Sequence, residues 1–108
     1  MTDLARVEAN AVNGVEVVRV IGEIDLSNAA VVGDAIGAAI PDRREVVVDL
    51  SETQYLDSAG LAMLFRLAQR LNYNRQELQL VVPADAPIRA VIRLTKLDQV
   101  VHVRDSAD

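Results

Sequence analysis

Apolar positions fall into two spacings along this chain. Short runs of β-branched residues mark strands, and apolar residues three and four apart mark helices. The clearest unit is Val46 to Leu71, VVVDLSETQYLDSAGLAMLFRLAQRL. Val46 to Leu50 is too short for a helix and rich in valine, which predicts a strand covered on both faces. A helix starting near Ser58 carries Leu61, Leu64, Phe65, Ala68 and Leu71 at helical spacing. The stretch between is read as a short loop that ends in Asp57-Ser58-Ala59-Gly60.

The flanking segments read the same way. Leu4 to Glu8 is a first strand, Asn13-Gly14 a hairpin turn, and Val15 to Ile21 a second strand antiparallel to the first. Gly22-Glu23-Ile24-Asp25 ends that strand. Ser27 is the expected N-cap of a helix over roughly Asn28 to Ile40, packing through Ala29, Val32, Ile36 and Ile40. Gly33 and Gly37 lie inside it, each costing ~1 kcal/mol relative to Ala, and are read as close helix–sheet approach. Pro41-Asp42 breaks the helix. Leu78 to Val82 is a strand. Asp85 and Pro87 open a helix with Ile88, Val91, Ile92 and Thr95 on its buried face. Val100 to Val103 is the last strand, and Arg104 to Asp108 a polar end.

The expected fold is α/β, in the order β-β-α-β-α-β-α-β, as one domain over residues 1–108 with an ordered core of about 3–104. Helices between strands imply right-handed crossovers, hence a mostly parallel sheet with an antiparallel edge strand and helices packed on it.

Composition narrows the function. Hydrophobic residues make up 51% of 108, aromatics only 3%. The core is therefore aliphatic, and a row of aromatics for base stacking is missing. The net charge of −5 argues against nucleic acid and anionic membrane as direct partners. There is no cysteine, which fits a reducing compartment. The N-terminus has no basic-then-apolar signal pattern, and no apolar run approaches the ~20 residues of a membrane helix. A cytoplasmic location is expected.

Asp57 and Ser58 set a carboxylate and a hydroxyl at the positive end of a helix. One reading is a cap and nothing more. The other is an acceptor hydroxyl modified by another enzyme, with Gly60 letting another backbone come close. A nucleophile elbow needs Gly at position 56, which is Leu, and the lone His102 lies in the last apolar strand, so a serine hydrolase is disfavoured. A receiver-type phospho-acceptor Asp lacks its acidic pair after the first strand. Metal and cofactor sites are not expected, since His/Cys clusters, calcium-loop spacing and a phosphate loop are all missing. Asp25 ends the second strand beside the central one, so Asp25, Asp57 and Ser58 are expected at one sheet end. On a helical wheel Ala62, Met63 and Leu67 point away from the core stripe, flanked by Arg66 and Arg70, and are read either as scattered exposed residues or as a partner surface.

These residues resemble the STAS domain proteins, and among them the bacterial anti-sigma factor antagonists. The likeness is carried by Gly22-Glu23-Ile24-Asp25, by the strand Val46 to Ser51 leading into Asp57-Ser58-Ala59-Gly60-Leu61, and by the closing segment Ile88 to Val101. It implies a protein that is not an enzyme. Its unphosphorylated form binds an anti-sigma factor of serine kinase fold and frees a sigma factor. Phosphorylation of Ser58 switches it off, and a serine phosphatase resets it. The implied partner-binding residues are Asp25, Ser27, Asp57, Ser58, Ala59, Gly60, Ala62, Met63 and Arg66. Ala59 stands where many relatives have a second hydroxyl, and Lys96 where the family often has Gly. Many relatives add a final helix after the last strand; without it one sheet face is expected to be less covered, which leaves a homodimer open. The alternatives are a STAS subunit of another assembly, such as a lipid-transport ATPase partner or a stress-signalling scaffold, and a nucleotide or small-molecule binding domain.

Overall fold

A computed structural model describes residues 4–40 and 42–106. Pro41, Asp3 and the last two residues, which the sequence reading included, lie outside the described residues. Strands β1 (Ala5–Val12) and β2 (Val15–Ile24) form an antiparallel hairpin closed by Asn13 and Gly14, both at positive φ. Helix α1 (Ala29–Ala39), strand β3 (Glu45–Asp49), strand β4 (Thr53–Leu56) and helix α2 (Ser58–Tyr73) follow. Strand β5 (Glu77–Val81), helix α3 (Arg89–Leu94), one 3-10 turn (Leu97–Gln99) and strand β6 (His102–Arg104) complete the chain.

The sheet order is β1-β2-β3-β5-β6, parallel apart from the β1 edge, with β4 also paired to β2. This is the expected mixed sheet with one added strand. Residues 51–57, read as loop, contain β4. Its sequence Thr-Gln-Tyr-Leu is half polar, and only Thr53 and Leu56 are buried. Strands β3 and β4 lie one after the other along β2: β3 pairs with Val17–Arg19 and β4 with Gly22–Ile24. The change of partner falls between Arg19 and Gly22, and the β2–β4 ladder itself has a register shift between Gly22 and Glu23. Gly22 sits at φ +117, and a Cβ there would lie 2.1 Å from the Leu4 carbonyl oxygen. Only glycine fits. Thr53, buried, donates its hydroxyl to the Val20 carbonyl at 2.9 Å and locks β4 in place. Strand β2 therefore does not end at Gly22; it runs through to Ile24.

The three helices pack on one face of the sheet, over Val18, Val20, Val46, Val48, Leu78, Leu80 and Val82. Each fully buried aliphatic side chain there contributes roughly 1.5–3 kcal/mol by removal from water. On the other face Val17, Val47, Val81 and Val12 make a smaller cluster, and among the described residues no helix joins it. Arg19 stands beside Asp49 (3.5 Å) and Glu52 (3.5 Å) on this side.

Several side-chain expectations change. Met63 and Leu67 are 5% and 6% exposed, so they do not form a free surface. Strand order puts the successive crossovers on one face, so α1 becomes a neighbour of α2. Gly33 and Gly37 serve that helix–helix approach and not a helix–sheet one: a Cβ at Gly33 would meet Met63 at 2.8 Å, and one at Gly37 the Arg70 guanidinium at 2.6 Å. Thr95 and Val100 are exposed, and the closing strand begins only at His102. Lys96 takes a left-handed φ of 62°, the conformation for which glycine is the usual residue.

Candidate functional site

Two strand-to-helix turns meet at one end of the sheet. The first, after β2, holds Asp25, Leu26, Ser27 and Asn28. The second, after β4, holds Asp57 and leads into Ser58 at the first position of α2. They are adjacent because β4 pairs with the last residues of β2: Glu23 faces Tyr55, and Ile24 faces Leu56.

Asp57 joins the two turns. Its Oδ1 accepts the Gly60 N–H at 3.0 Å, which caps α2. Its Oδ2 accepts the Leu26 N–H at 3.0 Å, across the gap to the first turn. The Asp57 N–H in turn donates to the Ile24 carbonyl at 3.3 Å. Of the two candidate caps, then, Asp57 is the one used. Ser58 is exposed, and its hydroxyl has no hydrogen-bond partner among the described residues.

The first turn is built differently. The Asp25 Oδ1 accepts both the Ser27 N–H (2.8 Å) and the Ser27 hydroxyl (2.5 Å). These bonds, the Ser27 hydroxyl first, hold the Asp25 carboxyl below its ordinary pKa. Ser27 is thus not the cap of α1, as its sequence position suggested. That position belongs to Asn28, whose side chain turns back: Oδ1 accepts the Asp25 N–H (2.8 Å) and Nδ2 donates to the Glu23 carbonyl (2.9 Å). The sequence reading missed Asn28, although Asn ranks with Ser as a cap.

Asp25, Ser27, Asp57 and Ser58 are therefore brought together, with half-buried Ala59 beside them. Gly60 is buried, and what approaches it closely is not another backbone. A Cβ there would lie 2.5 Å from Leu56 Cδ1 and 3.0 Å from Ile24 Cγ2, so glycine lets the first turn of α2 settle onto β2 and β4. Ala62 is half-buried and Arg66 exposed further along α2, while Met63 faces α1. Grooves lie elsewhere on the surface. One of about 530 Å³ runs along Arg44, Asn72, Arg75, Gln76 and Glu77, one of about 390 Å³ between Phe65, Asn72, Gln79 and His102, and one of about 350 Å³ between α1 and α2. Ser58 lines none of these three. Among the described residues no group of three or more His, Cys, Asp or Glu could hold a metal ion, and no helix is long and apolar enough to cross a membrane.

The Ser58 hydroxyl therefore stands exposed on an α/β scaffold, next to the Asp57 carboxylate and outside the grooves named above. Residues 7–103 match the family model described as Mlab, STAS domain, and the chain belongs to the STAS domain family. Within it, its relatives are anti-sigma factor antagonists. A crystal structure of an anti-sigma factor antagonist from Mycobacterium paratuberculosis superposes with a TM-score of 0.81 at 32% identity, covering 96% of this chain and 88% of that one. The anti-sigma-F factor antagonist RsfB of Mycobacterium tuberculosis is 40% identical over 60 residues, or 55% of this chain and 49% of that protein. The match therefore spans about half the length of that relative. An anti-sigma-B factor antagonist of Staphylococcus aureus is 27% identical over 92 residues, 84% of each chain.

Proposed function

We propose that this protein is a phosphorylation-controlled antagonist. Unphosphorylated, it binds an anti-sigma factor of serine kinase fold and so frees a sigma factor; phosphorylation of Ser58 ends the binding, and a serine phosphatase restores it. It works in the cytoplasm by binding and not by catalysis. Its partner face comprises Asp25, Ser27, Asp57, Ser58 and Ala59, continued along α2 by Ala62 and Arg66.

One observation carries this reading. The Ser58 hydroxyl is exposed and unengaged at the amino end of α2, while the adjacent carboxylates are held in place by hydrogen bonds. Phosphorylation adds about −1.5 to −2 charges. A helix amino end tolerates that charge, so the backbone need not move. A docked partner would instead face an uncompensated phosphate beside Asp25 and Asp57. Losing ~3 kcal/mol of binding weakens affinity more than a hundredfold.

The test is capture of partners from the native cytosol by wild type, Ser58→Ala and Ser58→Glu. The proposal expects an anti-sigma factor with wild type and Ser58→Ala, its loss with Ser58→Glu, and phosphate on Ser58 of the wild type. Recovery of one transporter ATPase or scaffold by all three variants, with Ser58 never modified, would replace the switch with a constitutive STAS subunit.

A further inference from the structure

The turn after β2 displays a large apolar side chain where charge would be expected. Leu26 is 83% exposed between Asp25 and Ser27. A single exposed leucine is ordinary; this one is held unusually firmly. Its own N–H is bonded to Asp57 Oδ2. The residues around it are fixed by the Asp25–Ser27 bonds, by both polar atoms of the Asn28 amide, and by the Asn28 and Ala29 N–H groups on the Asp25 carbonyl at 3.1 and 2.8 Å. The loop backbone therefore has little freedom left to lose on docking. Tyr73 and Leu94, as exposed as Leu26, sit on the far end of α2 and on α3. Leu26 is tied directly to the residue preceding Ser58.

We infer that Leu26 is the apolar anchor of the partner face, seated in an apolar socket of the partner whose rim carries Lys or Arg. This rests on the reading of the Ser58 surface given above. The charge pattern selects the occupant. Asp25 precedes the leucine, Asp57 bonds its N–H, and exposed Glu23 stands three residues before it in the chain, so a protein that accepts it must be apolar at the centre and basic at the edge. A nucleic acid offers no such socket, and the chain's net charge of −5 opposes it. The anchor also lends the switch its reach. Because Asp57 bonds the Leu26 backbone and directly precedes Ser58, phosphate on Ser58 would enter the same face as the docked leucine, where a partner excludes water and charge is poorly tolerated.

The experiment titrates the purified anti-sigma factor identified by the capture above with wild type, Leu26→Ala, Leu26→Met and Ser58→Glu. Leu26→Ala is expected to raise Kd roughly tenfold or more, chiefly through faster dissociation, and Leu26→Met by no more than about threefold. Both variants should melt with the wild type, since the side chain contacts mainly water. A Leu26→Ala Kd within about twofold of wild type, with Ser58→Glu still abolishing binding, overturns the anchor and leaves the switch intact. If wild type itself binds no anti-sigma factor, the functional reading falls and the anchor with it.

Discussion

The turn after β2 holds Asp25 and Ser27; the turn after β4 holds Asp57 and Ser58. Both join a strand to a helix, both lie at the same sheet end, and both pair a carboxylate with a hydroxyl. In the first, the carboxylate is spent on its own turn, and Ser27 is bonded to it at 2.5 Å. In the second, the carboxylate reaches outward, one oxygen to the helix and one to the neighbouring turn. Its serine has a hydroxyl without a hydrogen-bond partner among the described residues. The two serines look alike in sequence, and of the two only Ser58 has a hydroxyl with no hydrogen-bond partner among the described residues. What separates them is where the adjacent carboxylate is committed.

Breaking the juxtaposition itself should have the largest effect. Gly22→Val puts a side chain into the Leu4 carbonyl at a positive φ that valine cannot take. We expect a loss of at least about 3 kcal/mol of stability, read as a lower urea midpoint. A variant of wild-type stability would mean that the register shift does not position the turns.

Asp57→Ala removes the clasp between the turns and the cap of α2 together. It should cost about 1–2 kcal/mol, and amide exchange should quicken at Leu26 as well as at Gly60. Faster exchange at Gly60 alone would leave the cap and refute the bridge.

Ser27→Ala is the mildest change and sharpens the contrast most. Without the hydroxyl the Asp25 pKa should rise toward the ordinary carboxylate value of about 4, followed by carbon-detected NMR titration. The sign follows from the depressed folded pKa. Its stabilising contribution is present above the unfolded value and is lost as pH falls through the folded one. An unmoved Asp25 titration would show that the short contact does not set its charge.

Much of this arrangement was legible in the chain. Valine runs and helical spacing marked β2, β3, β5 and α2, and the strand–helix order implied a mixed sheet with its βα turns gathered at one end. Asp57, Ser58 and Asp25 were therefore found together before any coordinates. The rest depended on partners that no local pattern carries. Strand β4 is half polar, and its pairing with the end of β2 next to the Gly22 register shift is a long-range feature. Met63 and Leu67 looked exposed because a helical wheel allows for one buried face, whereas α2 has two, one against the sheet and one against α1. Ser27 looked like a cap because Asp25 competes for its hydroxyl in a way that spacing does not register. Leu26, an apolar residue in a polar turn, carried no periodic signal at all.

The central claim is that charge placed on Ser58 controls binding without rebuilding the fold. The most direct test prepares the protein phosphorylated at Ser58, titrates its anti-sigma factor with both forms, and compares their backbone amide spectra. The account predicts a Kd raised more than about a hundredfold, with amide shifts confined to the two turns and the start of α2. Equal affinity of the two forms, or shifts spread through β3, β5 and the core of the sheet, would contradict it.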